Sequence, residues 1–252
     1  MTKRRQYTAL VLRTKAYRET SLMIDFFTAE DGRLSGVQKG YRGRRAHRTI
    51  QSFLLGSLDA SNTQGLVSVY DFDVINNLAP KGEQTASGFY VLELIFRALG
   101  ERQQEPLLFA AAVQVLADLQ VGTAPRFILR KFERALLDQL GFGLDFERAI
   151  DGRTHEPEAI RVDALYSYQP GLGFVRESDK CVAHTGEKVS PGTVVLSGDS
   201  LQRIESENYV DARVGRDARL LYQSALTLLI GHEPLESRKL LDSALGSQGH
   251  ER

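Results

Sequence analysis

Ser21-Leu-Met-Ile-Asp-Phe-Phe-Thr28 decides how the first third of the chain is read. Leu22, Ile24 and Phe26 recur at every second position, the side-chain period of a β-strand, with Met23 and Phe27 on the other face. Ala29-Glu-Asp-Gly32 supplies turn chemistry directly after it, so residues 33–38 return as a partner strand. Working outward from this hairpin, residues 7–14 read as a first strand and 53–60 as a fourth. Ser61-Asn-Thr-Gln-Gly65 is a turn, and beyond it Leu66, Ser68, Tyr70, Phe72 and Val74 alternate with Val67, Val69, Asp71 and Asp73. Five strands in about eighty residues fit a small closed barrel of the oligonucleotide-binding (OB) type, which leaves no edge unpaired. Fold alone does not assign function.

Asn76-Asn-Leu-Ala-Pro-Lys-Gly82 is a boundary, after which the apolar period changes from two to about 3.6. Residues 83–102 suit a mostly buried helix carrying Ala86, Phe89, Tyr90, Leu94 and Ala98. Pro106 cannot continue that helix but can begin the next, over 107–120. A third helix is expected to start at Gly122-Thr-Ala-Pro125, with Thr123 as cap, and to stop at Gly141. Residues 163–168 and 174–176 read as a short hairpin, and helices over 199–206, 212–230 and 235–245 close the chain. The fold class is therefore α+β. Residues 1–80 form a five-stranded OB-fold barrel for nucleic acid, and 81–252 a mainly helical domain with a small irregular β insertion at 142–195.

Composition excludes several classes. At 252 residues, 42% hydrophobic and 25% charged, the chain is ordinary globular material. Its apolar runs, such as 107–113, fall well short of the roughly 18–20 residues that span a bilayer. An alternating segment rather than an apolar signal core follows the basic start, so a cytosolic protein is expected. Cys181 is the one cysteine and can form no internal disulfide.

The net charge of zero hides an asymmetry. Residues 1–50 hold twelve Lys and Arg against four acids, a net of +8, which leaves −8 for the remainder. Lys39-Gly-Tyr-Arg-Gly-Arg-Arg-Ala-His-Arg48 contains five of those cations and no acid. Gly40 and Gly43 disfavour helix there. The stretch reads either as a solvated surface loop or as a mobile basic loop that follows a phosphate backbone without reading bases. Tyr41 within it is either a base-stacking ring or an ordinary surface aromatic.

Catalytic signatures are missing: no phosphate-binding Gly-x-x-x-x-Gly-Lys-Ser/Thr loop, no Gly-x-Ser-x-Gly elbow, no His-Glu-x-x-His helix. Gly171-Leu-Gly173 is turn geometry between hairpin strands. Cys181-Val-Ala-His184 has a metal-compatible gap and His155 could be a third ligand, but a structural zinc site takes four. No metal and no cofactor are expected. On the third long helix Arg126, Arg130 and Arg134 recur at four-residue spacing, one basic stripe opposite Ile128, Phe132, Ala135, Leu136 and Leu140. The stripe is either a solvated face laced by Glu133 and Asp138 or a seat for an acidic peptide with a hydrophobic end.

Taken together these pieces resemble a known family. Glu19-Thr-Ser-Leu-Met-Ile-Asp25, Phe27-Thr-x-Glu-x-Gly-Arg33 and Lys39-Gly40 ahead of an arginine cluster are similar to the N-terminal domain of RecO, the bacterial recombination mediators. Arg130-Lys-Phe-Glu-Arg-Ala-Leu-Leu-Asp-Gln-Leu-Gly-Phe-Gly143 and Pro234-Leu-Glu-Ser-Arg-Lys-Leu-Leu241 continue the likeness in the family's order. The resemblance implies a cytoplasmic, nucleoid-associated protein that binds single- and double-stranded DNA and anneals complementary strands. It also implies partnership with single-strand-binding protein (SSB) and with RecR in loading RecA. Many relatives carry a four-cysteine zinc module; this chain resembles the zinc-free variant. Carried over by residue, Lys39, Arg42, Arg44, Arg45 and Arg48 occupy the family's basic loop. Arg130 matches a helix position that holds the acidic, phenylalanine-ended SSB tail, and helical spacing extends that site to Arg126 and Arg134. A generic nucleic-acid adaptor and an enzyme with an unrecognised site are the competing readings.

Overall fold

The computed structural model describes residues 4–41, 49–177, 188–190 (backbone only) and 193–240. It divides into two compact units, residues 1–125 with 234–252, and residues 126–233. The pattern change at 76–82 marks the switch from strands to helices, whereas the compact units part at 125/126.

In the first unit β1 (Arg4–Tyr17), β2 (Ser21–Thr28), β3 (Gly32–Gln38), β4 (Leu54–Ser61) and β5 (Val67–Asn77) close into a barrel in the order β1-β2-β3-β5-β4. β3 and β5 run parallel and the other neighbours antiparallel, which is the OB-type Greek key. Leu22, Ile24 and Phe26 point inward as their period predicts, among Tyr7, Val11, Leu58 and Phe72. The alternation expected on β5 is broken. Val67, Val69 and Phe72 are buried while Tyr70 is exposed, because Asp59 pairs Asp71 and the next residue, Ala60, pairs Val69. That bulge inserts one residue and swaps which parity faces the core. Gly56 flanks the other irregularity in this pair, where an added Cβ would lie 2.4 Å from the Asp73 carbonyl.

α1 (Gln84–Ala98) and α2 (Pro106–Gln120) belong to the barrel's unit. Phe27, on the outer face of β2, meets Phe109 of α2 edge-on at 5.3 Å between centroids. α1 ends four residues earlier than its sequence pattern implies, because Leu99 turns extended and caps on Ile95. The link to α2 then docks on the barrel. The Arg102 N–H donates to the Arg33 carbonyl at 3.0 Å, and its guanidinium reaches Asp31 at 2.7 Å and the Thr63 carbonyl. Residues 236 and 237 are fixed in a similar manner. Glu93 on α1 accepts from the Glu236 N–H at 3.0 Å, the Ser237 N–H at 2.8 Å and the Ser237 hydroxyl at 2.5 Å, occupying donors at the start of the helical stretch 236–240. Ser237 therefore anchors the stretch 236–240 to α1.

The second unit begins with α3 (Pro125–Gln139). It closes with Gly141 at φ 82, where the Phe142 N–H bonds to the Leu137 carbonyl and the Gly141 N–H to the Asp138 carbonyl. The stretch expected as a small irregular β insertion is a six-stranded sheet. β6 (Arg148–Asp151), β7 (Pro157–Ala159), β8 (Leu165–Gln169), β9 (Gly173–Arg176), β10 (Lys188–Ser190) and β11 (Thr193–Ser197) assemble as β10-β11-β8-β9-β6-β7. The 165–176 hairpin at its centre forms as read. α4 (Gly198–Glu205) and α5 (Ala212–Ile230) follow, capped by the side chains of Ser197 and Asp211.

Candidate nucleic-acid interface

The register of β1, β2 and β3 sorts their outward side chains into rows. Leu10, Phe27 and Arg33 make the first row, Arg13, Asp25 and Ser35 the second, and Lys15, Met23 and Val37 the third. Tyr17 and Ser21 follow at the barrel end, with Lys39 one residue past Gln38, the last residue of β3. Rows two residues apart are separated by about 6.8 Å along a strand.

The first row is covered by the unit's own helices, and the second is engaged by them at Arg13, whose side chain stays 58% exposed. Phe27 lies under Phe109. The guanidiniums of Arg13 and Arg33 sit 3.5 and 4.8 Å from the centre of the Phe96 ring on α1. Arg33 donates to the Leu99 carbonyl at 2.9 Å, and Arg13 to Asp25 at 2.6 Å. Asp25 is buried and also accepts from the Ser35 hydroxyl at 2.5 Å. Half of the β2–β3 face that OB folds use for oligonucleotides is thus occupied. At the other end of β1, Arg4 pairs with Asp59 at 3.4 Å and Arg5 with Asp31 at 2.8 Å. Arg4, Arg5, Arg13 and Arg33 therefore have partners within the molecule, while 65%, 40% and 58% of the Arg4, Arg5 and Arg13 side chains stays exposed.

The third row and the barrel end are the open part. Lys15, Arg18 and Lys39 are exposed there, Met23, Val37 and Tyr17 are half-buried, and Glu19 is the acid in the turn. Among the described residues no carboxylate pairs with Lys15 or Lys39. Of the basic loop expected to bind DNA, Lys39 is seen at this end; Arg42, Arg44, Arg45 and Arg48 lie outside the described residues. Tyr41 corrects its reading as a base-stacking ring. It packs against the barrel core, and its hydroxyl accepts from the Ile50 N–H at 2.5 Å. A tyrosine that buries its ring and satisfies its hydroxyl gains more than one left in water. The contact ties together the residues on either side of 42–48. Sequence reasoning missed Lys15, Tyr17 and Arg18, although Tyr17-Arg18 stands directly before the first motif of the resemblance.

The arginine stripe on α3 is also corrected: the three side chains do not form one exposed row. Arg126 is exposed, its guanidinium 4.7 Å from the Phe127 ring centre. The Arg130 side chain is only 6% exposed and donates to the fully buried Glu133 at 2.6 Å. Arg134 donates to the Glu205 carbonyl at 2.6 Å and lies 3.7 Å from Asp138. The reason is packing around the helix, where Lys131 meets Glu207 at 3.1 Å, Tyr209 lies within electrostatic reach of Arg130 and Arg134, and Tyr222 within that of Arg134 and Glu133. Burial raises both tyrosine hydroxyls, so they stay neutral beside the ion pair.

The same unit carries a groove of about 400 Å³ at the C-terminal end of α3. Phe142, Leu172 and Leu228 line it while remaining 40–54% exposed, and Arg148 stands at its side, 3.6 Å from Asp145. Arg134 reaches toward this end, 5.8 Å from the Phe146 ring, which packs on Phe174 in the groove wall. Among the described residues no three His, Cys, Asp or Glu side chains cluster as a metal site, and Cys181 and His184 lie outside those residues. No described helix is long and apolar enough to cross a membrane.

Residues 1–78 match the model of the Recombination protein O N terminal, and residues 80–239 that of the Recombination protein O C terminal. The chain belongs to the RecO family. Curated DNA repair proteins RecO are similar to it over nearly all its length. The Ralstonia nicotianae protein is 31% identical over 94% of this chain and 83% of its own length. The Pseudoalteromonas atlantica protein is 32% identical over 93% of both, and that of Tolumonas auensis 31% identical over 92% of both. A role in DNA repair and recombination follows from membership in the RecO family.

Proposed function

We propose that this RecO-family chain is a recombination mediator that works by binding rather than by catalysis. It holds single- and double-stranded DNA at the open barrel end, anneals complementary strands, and with RecR helps load RecA on SSB-coated DNA. The observation that carries the reading is the placement of Lys15, Arg18 and Lys39 at one end of an OB barrel, with the basic stretch 42–48 following Lys39 in the sequence. Annealing requires two polyanions to approach, and a polyvalent cationic surface screens their repulsion.

If Lys39, Arg42, Arg44, Arg45 and Arg48 each neutralise one phosphate of single-stranded DNA, log K falls with log salt at a slope of about −3.5. Arg44→Ala/Arg45→Ala is expected to flatten that slope to about −2. An unchanged slope removes the loop from the interface. A strand-annealing assay with and without SSB separates a mediator from a plain adaptor, which would bind DNA and anneal nothing.

For the SSB tail, the groove beside Arg148 and Arg134 supports a seat for an acidic peptide ending in an aromatic ring. The ring would enter the groove while the carboxylates face the two guanidiniums. Arg126 stands at the far end of α3, and Arg130 is withdrawn into its pair with Glu133. Arg148→Glu is expected to weaken binding of a tail peptide about tenfold and leave the DNA salt slope as it was. Undiminished peptide affinity would place the tail elsewhere.

A further inference from the structure

The barrel end holds a feature that phosphate binding does not explain. Tyr17 closes β1 directly opposite Ser21, on the outward face and one row beyond Lys15, Met23 and Val37. Its ring is half-buried, which keeps it in place, and the Arg18 guanidinium stands 5.2 Å from its centre. Arg18 itself takes a left-handed backbone, φ 52, in the turn that follows. Such a conformation is unfavourable for a residue with a side chain, and residues kept there at a cost cluster at binding sites. Lys15 lies along the strand on one side, and Lys39 emerges beside Ser21 on the other. A cation, an aromatic ring and a second cation therefore follow one another across the end of the barrel.

We propose that Tyr17 is a stacking platform for one unpaired base, with the flanking phosphates held by Lys15 and Lys39, which makes this end of the barrel a single-strand site. The proposal rests on the nucleic-acid reading above and adds which form of DNA this surface takes. Bases in a duplex are already stacked on their neighbours, so the ring is of use only to an unpaired strand. Every base has a π-face, so the contact tolerates any sequence. A strand gripped at one base and two phosphates leaves the edges of its other bases open, which is the state that annealing needs. Duplex DNA would be held by the cations alone.

The test compares wild type, Tyr17→Ala and Tyr17→Phe for binding to an oligo-dT, to the same strand with abasic sites, and to a duplex, all at one salt concentration. Tyr17→Ala is expected to bind oligo-dT about tenfold more weakly, and Tyr17→Phe as wild type does. Duplex affinity changes less than twofold, and the salt slope holds because no charge is removed. Wild type is expected to lose the same tenfold on the abasic strand, where Tyr17→Ala loses nothing further. That arm leaves the protein unaltered, so misfolding of a variant cannot imitate it. Equal loss for oligo-dT and duplex, or a Tyr17→Ala affinity for oligo-dT equal to wild type, overturns the proposal while leaving the DNA-binding reading intact. Failure of wild type to bind any of the three ligands overturns that reading as well.

Discussion

Replacing Arg130 by glutamate is expected to unfold the second unit rather than to switch off one partner selectively. The Arg130 and Glu133 side chains are 6% and 0% exposed, and their hydrogen bond is 2.6 Å long. Removing one member of a buried pair costs about 3–5 kcal/mol, and reversal adds a second carboxylate to a site screened from water. Domain stabilities of about 5–15 kcal/mol leave little after such a loss. The melting transition of the unit should fall by about 10 °C or more. Arg130→Met with Glu133→Leu, which removes both charges and keeps the volume, should recover most of it, since apolar replacements of buried pairs are often neutral or better. A single glutamate variant that melts within about 2 °C of wild type would show that the pair is open to solvent. The result bears on any binding experiment. Loss of tail-peptide binding in Arg130→Glu would report a collapsed unit, whereas Arg148→Glu changes a side chain that is 72% exposed.

The second large effect is expected at Gly32, the first residue of β3 after the turn from β2. Its φ of +68° favours glycine, and an added Cβ would fall 1.8 Å from the Gln103 carbonyl oxygen and 2.4 Å from its carbon. Gly32→Ala therefore meets two penalties at once. Left-handed backbone costs an L-residue about 1–2 kcal/mol, and the 99–105 link must also move away. Moving it strains the Arg102–Arg33 backbone bond and the 2.7 Å contact of Arg102 with Asp31, which also holds Arg5. A loss of about 3 kcal/mol or more in denaturant unfolding is expected, in the range set by steric and backbone conflicts together. Native-state hydrogen exchange should quicken first in the 99–105 link, which is fastened by these few bonds. A change below about 0.5 kcal/mol, the size of an ordinary surface substitution, would mean that the link does not press on this turn.

Much of the architecture is legible in local pattern. Period two in 21–28 and period 3.6 after 82 come from neighbours a few residues apart, and Pro106 and Gly141 mark a helix start and stop by their own backbone chemistry. The phase of β5 is less accessible. The bulge at Tyr70 depends on how β4 lies beside it, and Leu66 to Val74 read equally well in either register. The strands of the second sheet beyond the 165–176 hairpin were less accessible for a similar reason: they are only three to five residues long, too short to show a period.

By itself, the sequence determined the order of the barrel strands and of the helices, the family, and the concentration of positive charge in the first fifty residues. Only the tertiary structure decided which of those charges meet a partner within the chain. Arg13 meets Asp25 and Phe96, Arg33 meets Leu99, and Tyr41 meets Ile50, while Lys15, Tyr17 and Lys39 stay at the open end. On α3 the same sorting withdrew Arg130 and left Arg126 outside. A charge is free or spent according to the carboxylate, carbonyl or ring that packing brings to it. Those partners come from other strands and helices, so their identity is absent from any local window of residues.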